Sequence, residues 1–162
     1  MLSKKIILLG RYGVGKTSLT NRFVHSCFSE EYMTTIGVNI EKKILDTEYG
    51  KLSMIIWDIA GENAQSKVKT NYKIGSAGIL YVFDLSRSST QEAVAQEIEE
   101  LKKEMPNVPI VLVANKKDLF DETQLNEIKK DIKFKDVFYT SAKTGEGVEE
   151  SFSCLAKHIL TP

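Results

Sequence analysis

Eight residues near the amino terminus have the types and the spacing needed to hold phosphate groups. Residues 10–17 read GRYGVGKT, which fits the pattern G-x-x-x-x-G-K-[ST], and they follow the apolar run IILL at residues 6–9. Glycines in such a loop let backbone N–H groups turn toward the phosphates where a helix begins. Lys16 would reach the β- and γ-phosphates, and the Thr17 hydroxyl would ligate Mg²⁺. The pattern therefore predicts a nucleotide-binding site.

The elements that must position this loop alternate between short apolar runs and amphipathic stretches. This alternation predicts an α/β fold with a six-stranded, mostly parallel sheet and helices on both faces. The predicted strands cover residues 4–9, 38–46, 51–58, 78–84, 109–115 and 136–140. Residues 47–50 suffice only for a hairpin turn, so the second and third strands should be antiparallel neighbours. Because the sequence contains no repeat or linker, residues 1–162 are expected to form a single domain.

Helices are predicted where apolar residues recur at helical spacing. One covers residues 89–105, where Ser89-x-x-Glu92 predicts a capping box, a second runs from near Asp121 to near Lys133, and a third closes the chain. The predicted inward residues are Val94, Ile98, Leu101 and Met105 in the first, Leu125, Ile128 and Ile132 in the second, and Val148, Phe152, Leu155 and Ile159 in the third.

Composition and charge argue against several classes of function. The 22 Lys and Arg residues balance 22 Asp and Glu residues, so no net field recruits nucleic acid or an anionic membrane. Cys27 and Cys154 are far apart and lack partner spacing, which suggests reduced thiols in a cytoplasmic protein. The apolar run before Gly10 is too short for a signal peptide or a transmembrane helix.

Three further motifs end predicted strands, where ligands bind in doubly wound sheets. DIAG stands at residues 58–61, NKKD at residues 115–118 and SAK at residues 141–143. With the phosphate loop, and in this order, they make the chain resemble the small GTPases of the Ras superfamily over essentially all 162 residues. The resemblance implies a P-loop NTPase G domain that binds GTP or GDP with Mg²⁺, hydrolyses GTP and acts as a molecular switch in signal transduction.

The resemblance assigns the guanine base to the later motifs. The Asp118 carboxylate can accept hydrogen bonds from guanine N1–H and the 2-amino group, an arrangement that adenine cannot offer. Asn115 would brace the loop, and the Ala142 N–H would donate to guanine O6. The stems of Lys116 and Lys143 would cover the ring faces. The whole nucleotide set implied in this way is Gly13, Val14, Gly15, Lys16, Thr17, Ser18, Phe28, Thr35, Gly61, Asn115, Lys116, Asp118, Ser141, Ala142 and Lys143.

Phe28 is the one aromatic residue in that set. It lies where the family places a ring across the guanine, and the alternative is an ordinary core phenylalanine at a helix end.

A metal site and two switch segments also follow from the resemblance. Thr17, Thr35 and Asp58 would hold Mg²⁺, with Asp58 acting through water, and the Gly61 N–H would meet the γ-phosphate. The segments at about 29–40 and 59–75 would respond to the γ-phosphate and bind effector proteins. An exchange factor and an activating protein would be further partners of a monomeric chain.

Within the superfamily the chain leans toward Rab-like proteins, which implies a role in vesicle transport. Residues 36–40 (IGVNI), 57–58 (WD) and 81–84 (YVFD) support this subfamily, whereas residues 65–72 keep little of its pattern. Trp57 is expected to pack on the sheet and help form an effector surface.

Two residues that the resemblance places in GTP hydrolysis, Tyr12 and Glu62, depart from the family pattern. Lys16 and Thr35 would complete the catalytic set. The family usually has Gln after the D-x-x-G glycine to orient the attacking water, and this chain has Glu62. Tyr12 stands where Ras-like chains carry Gly, and its ring would occupy the space that an arginine finger enters. Slow hydrolysis is therefore expected. The alternative is that Tyr12 points to solvent and changes little.

Two rivals to an ordinary switch stay open. Tyr12 and Glu62 also fit a scaffolding module that is constitutively GTP-bound and deficient in hydrolysis. The chain stops at Pro162 without a C-terminal Cys motif, so we expect no prenyl anchor within it. It would then be a Ras-like domain of a larger protein, or reach membranes only through a missing tail or a partner.

Overall fold

The computed structural model describes residues 1–31, 35–61 and 70–161. Within these ranges the strands are β1 (Leu2–Leu9), β2 (Val38–Thr47), β3 (Gly50–Ile59), β4 (Gly78–Asp84), β5 (Ile110–Asn115) and β6 (Val137–Tyr139). The helices are α1 (Lys16–His25), α2 (Thr70–Lys73), α3 (Ser88–Glu104), α4 (Glu122–Asp131) and α5 (Val148–Leu160), and a 3₁₀ turn covers Lys117–Leu119.

A six-stranded sheet with the order β2-β3-β1-β4-β5-β6 confirms the predicted fold class. β2 runs antiparallel to β3, and the other neighbouring strands are parallel. The predicted hairpin is also confirmed, because Thr47 pairs with Gly50 across a turn of two residues. Gly50 has a φ of 104°, a conformation that a residue with a side chain adopts only at a cost.

The central strand β1 shows why helices must cover both faces of this sheet. Ile6 and Leu8 belong to one core cluster, whereas Ile7 and Leu9 belong to the other. Successive side chains of a strand point to opposite faces, so a strand that is apolar at every position needs cover on both sides. Residues of α1 and α5 complete the first cluster, and residues of α3 and α4 complete the second.

The helices bury the residues that the sequence periodicity predicts. Val94, Ile98, Leu101, Leu125, Val148, Phe152 and Leu155 are buried, and Met105, Ile128, Ile132 and Ile159 pack partly buried against the two clusters. In the first cluster the rings of Phe23 and Phe152 stack with their centroids 3.9 Å apart. In the described part of the chain, no helix is both long and apolar enough to cross a membrane.

The predicted capping box at Ser89 is wrong, and a capping box forms on α4 instead. Helix α3 already begins at Ser88, Ser89 is exposed, and the N-cap residue Arg87 makes no capping bond through its side chain. Thr90 fixes this start, because its buried hydroxyl accepts from the Asp84 N–H at 3.0 Å. On α4, the Asp121 carboxylate accepts from the Gln124 N–H at 2.8 Å, and the Gln124 side chain accepts from the Asp121 N–H at 2.9 Å.

The parallel strands gather the motifs at one edge of the sheet. Strands β1, β3, β4, β5 and β6 share one direction, so the segments that follow them leave from the same edge. These segments contain the phosphate loop, Gly61, the NKKD residues 115–118 and the SAK residues 141–143. Ligand sites of doubly wound sheets lie at this edge.

The two capping positions give a test of this local structure. Asp121→Ala should lower the free energy of unfolding by about 1 kcal/mol, because it leaves helix N–H groups of α4 without an acceptor. Ser89→Ala is the matched control and should change it by no more than about 0.5 kcal/mol, because Ser89 caps nothing. Urea unfolding followed by circular dichroism measures both changes. An equal loss in the two variants would contradict the capping assignment.

Candidate nucleotide-binding site

The phosphate loop joins β1 to α1 and encloses the Lys16 side chain. Lys16 is the first residue of α1 and is only 6% exposed. Its Nζ donates to the carbonyl oxygens of Gly10 at 2.9 Å and Arg11 at 3.3 Å, so the ammonium lies inside the loop. Gly15 precedes it with a φ of 102°, and an added Cβ there would collide with the Asn115 side chain. The loop therefore delivers a positive charge at a helix N-terminus, where anions bind.

A second lysine connects the phosphate loop to the ends of β4 and β5. Lys116 Nζ donates to the Gly13 carbonyl at 2.9 Å and lies 2.9 Å from the Asp84 carboxylate. Asp84 ends β4 and is fully buried, and its other carboxylate oxygen accepts from the Ser86 N–H at 2.8 Å. A buried carboxylate needs such partners, because an unpaired charge in the interior is very costly. Lys116 thus holds the phosphate loop and neutralises Asp84 at the same time.

Three oxygen atoms from different segments meet beside Lys16. Thr17 Oγ1 lies 2.5 Å from Thr35 Oγ1 and donates to Asp58 Oδ2 at 2.6 Å. Asp58 lies in β3 and is fully buried, and burial raises its pKa although the Thr17 and Thr35 hydrogen bonds and the Lys16 charge oppose the rise. Its second oxygen, Oδ1, has no hydrogen-bond partner among the described residues. One buried carboxylate and two hydroxyls form a donor set that suits Mg²⁺ bound together with phosphates.

The NKKD and SAK segments form the other end of the site. The Asn115 amide donates to the Val14 carbonyl at 3.0 Å and accepts from the Thr140 hydroxyl at 3.0 Å. Ser141 Oγ donates to one carboxylate oxygen of Asp118 at 2.8 Å, which orients that carboxylate. Asn115 therefore joins the two segments to the phosphate loop, as a buried amide with both ends satisfied.

A single cavity of about 370 Å³ joins these parts. Its lining includes Gly13, Gly15, Lys16, Thr17, Ser18, Phe28, Thr35, Gly61, Asn115, Lys116, Asp118, Ala142 and Lys143 from the predicted nucleotide set. Val14 and Ser141 lie outside the lining, since Val14 is a core residue and Ser141 is buried beside Asp118. Phe28 lines the cavity and also packs against the core, and its stacking on guanine stays a prediction.

The comparison with known proteins agrees with this geometry. Residues 5–161 match the sequence model of the Ras family. The chain belongs to the Ras family. Ras-related protein Rab-32 of Homo sapiens is 38% identical to it over 167 residues, which cover 96% of this chain and 74% of that protein. Ras-related protein Rab-32A of Dictyostelium discoideum is 35% identical over 169 residues, which cover 96% of this chain and 77% of that protein. Ras-related protein Rab-7b of Bos taurus is 39% identical over 168 residues, which cover 97% of this chain and 82% of that protein.

These relatives confirm the Rab-like assignment within the Ras superfamily. The protein is thus a small GTP-binding switch protein of a family of GTPases, and membership implies binding of GTP and GDP, typically with Mg²⁺. Proteins of this family generally interact with effectors, exchange factors and activating proteins.

Tyr12 lies at the rim of the cavity of this Rab-like GTPase. It lines the cavity and is 47% exposed. Arg87, at the start of α3, donates to the Tyr12 carbonyl at 2.7 Å, and the neighbouring Arg11 forms a 2.5 Å ion pair with Glu97 of α3. A Cβ added to Gly61 would lie 2.5 Å from the Tyr12 Cα, so the D-x-x-G glycine fits closely against this backbone. The Tyr12 backbone is therefore held from two sides.

The remaining predicted switch residues are described only in part. Glu62 and residues 63–69 of the second switch lie outside the described residues, as do residues 32–34 of the first. From the described part of the first switch, Glu30 forms a 3.0 Å ion pair with Lys143 and raises the pKa of that lysine. Both residues line the cavity, so this contact bridges part of its rim.

The sequence reading missed three residues that support the site, namely Asp84, Thr140 and Arg22. The sequence could have indicated a role for Asp84, because a carboxylate at the end of a buried apolar strand needs a buried partner. Arg22 had none, since the loop carbonyls it contacts lie 120 and 121 residues further along the chain.

The donor set around Asp58 leads to a test with Asp58→Asn. We expect Mg²⁺ affinity, read from how far Mg²⁺ slows the dissociation of fluorescent GDP, to fall about 10- to 100-fold. The metal-free, nucleotide-free protein should gain stability, because the raised pKa of Asp58 shows that its ionised form is disfavoured by burial. That gain over the unmodified protein should grow as the pH rises through the pKa of Asp58 in the folded state.

Asp46→Asn is the matched control, since Asp46 is an exposed carboxylate that pairs with Lys51 on the same hairpin. It should change neither the Mg²⁺ effect nor its pH dependence. If GDP release from Asp58→Asn responded to Mg²⁺ as in the unmodified protein, the metal assignment would be wrong.

Proposed function

We propose that this Rab-like protein is a GTP/GDP switch with slow intrinsic hydrolysis, and that the residues lining its cavity take the nucleotide in one orientation. The observation that carries the proposal is the cavity itself. Lys16 and Thr17 lie at one end, and Asp118 and Ala142 lie at the other.

The phosphate end supplies charge and hydroxyl groups. Lys16 would hold the β- and γ-phosphates, with the backbone N–H groups of the loop around them. Thr17, Thr35 and Asp58 would hold Mg²⁺, which when bound neutralises charge on the phosphates. The supporting observations are the 2.5 and 2.6 Å contacts among their oxygens and the unpartnered Asp58 Oδ1.

The base end supplies specificity for guanine. Asp118, oriented by the Ser141 hydroxyl, would accept from guanine N1–H and the 2-amino group. Adenine has no N1–H and no 2-amino group, so it would leave this carboxylate without partners, which costs binding free energy. The Ala142 N–H would donate to guanine O6.

The switch role requires that the state of the γ-phosphate change a surface that effectors read. Thr35 belongs to the first switch and joins the oxygen cluster, so a bound γ-phosphate would hold that segment. The two switches are also connected, because the Ala60 N–H donates to the Gly37 carbonyl at 2.9 Å. Next to this bond, Ile36 is 91% exposed and Ile40 is 50% exposed, which offers an apolar surface to an effector.

A place in vesicle transport follows from the Rab-like membership rather than from any contact in the site. Exchange factors and activating proteins would act on the same segments, at about residues 29–40 and 59–75.

Slow hydrolysis is proposed because of Tyr12 and Glu62. GTP hydrolysis needs an attacking water in line with the γ-phosphate and positive charge on the transition state, which Lys16 and Thr35 would support. Tyr12 would narrow the approach of an arginine finger, and its rim position and well-held backbone support this role. Glu62 would replace the usual Gln, and it cannot donate a hydrogen bond to the transition state while ionised.

The same two residues favour a second candidate, a constitutively GTP-bound scaffolding module. In that case hydrolysis would be negligible even with an activating protein present. The nucleotide that copurifies with the protein separates the candidates, since GDP indicates a cycling switch and GTP the scaffold.

The base end is tested by Asp118→Asn. The unmodified protein should prefer GTP to ATP by about 10⁴-fold or more. The variant should bind GTP more weakly and gain affinity for xanthine nucleotides, because the new amide can donate to a 2-oxo group. Competition against fluorescent GDP measures both effects, with the exposed α4 residue Asp131→Asn as the control that should change nothing. Equal competition by ATP in the unmodified protein would refute the proposed base site.

The hydrolytic end is tested in single turnover on protein preloaded with GTP, so that nucleotide exchange does not limit the rate. Tyr12→Gly combined with Glu62→Gln should raise the rate, by up to about 10³-fold when a finger-bearing activating protein is added. Guanine affinity should stay nearly unchanged, because neither side chain is proposed to touch the base.

Tyr49→Gly is the control, since Tyr49 is another exposed tyrosine and lies in the β2–β3 turn. Brisk hydrolysis by the unmodified protein with such an activator would refute both slow hydrolysis and the scaffold.

A further inference from the structure

Arg22 reaches from the last turn of α1 to the backbone of the SAK segment. Its Nε donates to the Ala142 carbonyl at 2.8 Å, and its Nη2 donates to the Lys143 carbonyl at 2.5 Å. A guanidinium is planar and presents its N–H groups in a fixed fork, so two bonds from one group set both position and orientation. Two successive carbonyls are thus held by one side chain.

Ser141 is held by the loop residues that follow the SAK segment and by Asp118, whereas the Ala142 and Lys143 carbonyls accept from Arg22. The Ser141 carbonyl accepts from the Gly145 N–H at 2.8 Å, and the Ser141 hydroxyl accepts from the Thr144 N–H at 3.0 Å. Ala142 is only 4% exposed. Without Arg22, the Ala142 and Lys143 carbonyls would lose the donors that the described residues give them, and such a loss costs free energy.

We infer that Arg22 is a positioning residue for guanine recognition, because it fixes the peptide planes that follow the Ala142 N–H. This inference rests on the role proposed above for that N–H as the donor to guanine O6. With the Ser141 carbonyl held on one side and the Ala142 carbonyl on the other, the N–H between them cannot rotate away from the cavity. Arg22 itself need not touch the nucleotide.

Helix α1 makes the same residue a link between the two ends of the nucleotide. The helix begins with Lys16 in the phosphate loop and carries Arg22 in its last turn. Lys16 and Arg22 are six residues apart, or about 9 Å along the helix axis, so the helix sets the distance between the phosphate loop and the guanine segment. Through its bonds to the Ala142 and Lys143 carbonyls, Arg22 fixes the SAK segment relative to this helix.

The test compares diphosphates whose bases differ at the 6-oxo group. GDP and IDP carry O6 and the N1–H, whereas 2-aminopurine riboside diphosphate has neither, so the comparison between variants rather than the affinity of the unmodified protein isolates the Ala142 contact. Arg22→Ala should weaken GDP and IDP about tenfold and the 2-aminopurine nucleotide by less than about twofold, because only the first two bind the Ala142 N–H. Competition titration against a fluorescent GDP analogue gives the three affinities. The ratio between them is the readout that a merely structural role would not change.

Two further variants complete the test. Arg22→Lys keeps the charge but donates as a point rather than a fork, so its losses should follow the same order and be smaller. It also serves if Arg22→Ala fails to fold. Asn21→Ala is the matched control, on the neighbouring position of the same helix, and should leave all three affinities unchanged.

Two outcomes would overturn the inference. The first is an equal loss for all three nucleotides in both Arg22 variants, and the second is no loss at all. If the unmodified protein binds GDP and IDP no better than the 2-aminopurine nucleotide, the proposed role of the Ala142 N–H fails instead. If that protein discriminates and the Arg22 variants keep the full discrimination, only the inference about Arg22 fails.

Discussion

The buried carboxylate of Asp84 sets the constraint on which the site depends. It ends the fully buried strand β4. A carboxylate that loses its hydration in this way destabilises the fold unless a cation or hydrogen-bond donors pair with it. Lys116 supplies the charge from the end of β5, and the same ammonium donates to the Gly13 carbonyl in the phosphate loop. One ion pair therefore ties together β4, the NKKD segment and the loop after β1. Removing Lys116 would leave the buried Asp84 carboxylate without its cation and would remove one of the bonds that hold the loop.

A second buried acid behaves differently because its surroundings are different. Among the described residues the side-chain contacts of Asp58 are hydroxyl groups, and burial raises its pKa against the opposing effects of the Thr17 hydrogen bond and the Lys16 charge. In the proposed function a bound cation would complete the surroundings of Asp58, whose Oδ1 has no hydrogen-bond partner among the described residues. Asp84 is paired with a lysine of the same chain, whereas the partner that we propose for Asp58 is a bound Mg²⁺. Structural and functional carboxylates are thus distinguished by which cation neutralises them.

Helices α1 and α3 hold the cavity from opposite sides. Helix α1 carries Lys16 at its start and Arg22 in its last turn, and so fixes phosphate and base segments relative to each other. Helix α3 contacts the loop through Arg87 and through the Arg11 pair with Glu97, which also accepts from the Tyr81 hydroxyl. These contacts hold the backbone of Tyr12 in place at the rim of the cavity. A substitution of Tyr12 that changes the rate of hydrolysis need not change guanine affinity, because Tyr12 lies at the rim of the cavity and is not proposed to contact the base.

The sequence by itself determined the strands, the helix faces, the hairpin and the motif order, because each depends on neighbours a few residues apart. It also gave the family. It failed at Ser89, where the helix start was decided by a bond from β4 to Thr90 rather than by local capping preference. Only the tertiary structure decided that Lys116 serves Asp84, that Phe28 lines the cavity while packing on the core, and that Arg22 supports Ala142. These contacts join residues far apart in the chain, and no local pattern of residue types records which carbonyl or carboxylate the folded sheet will bring within reach.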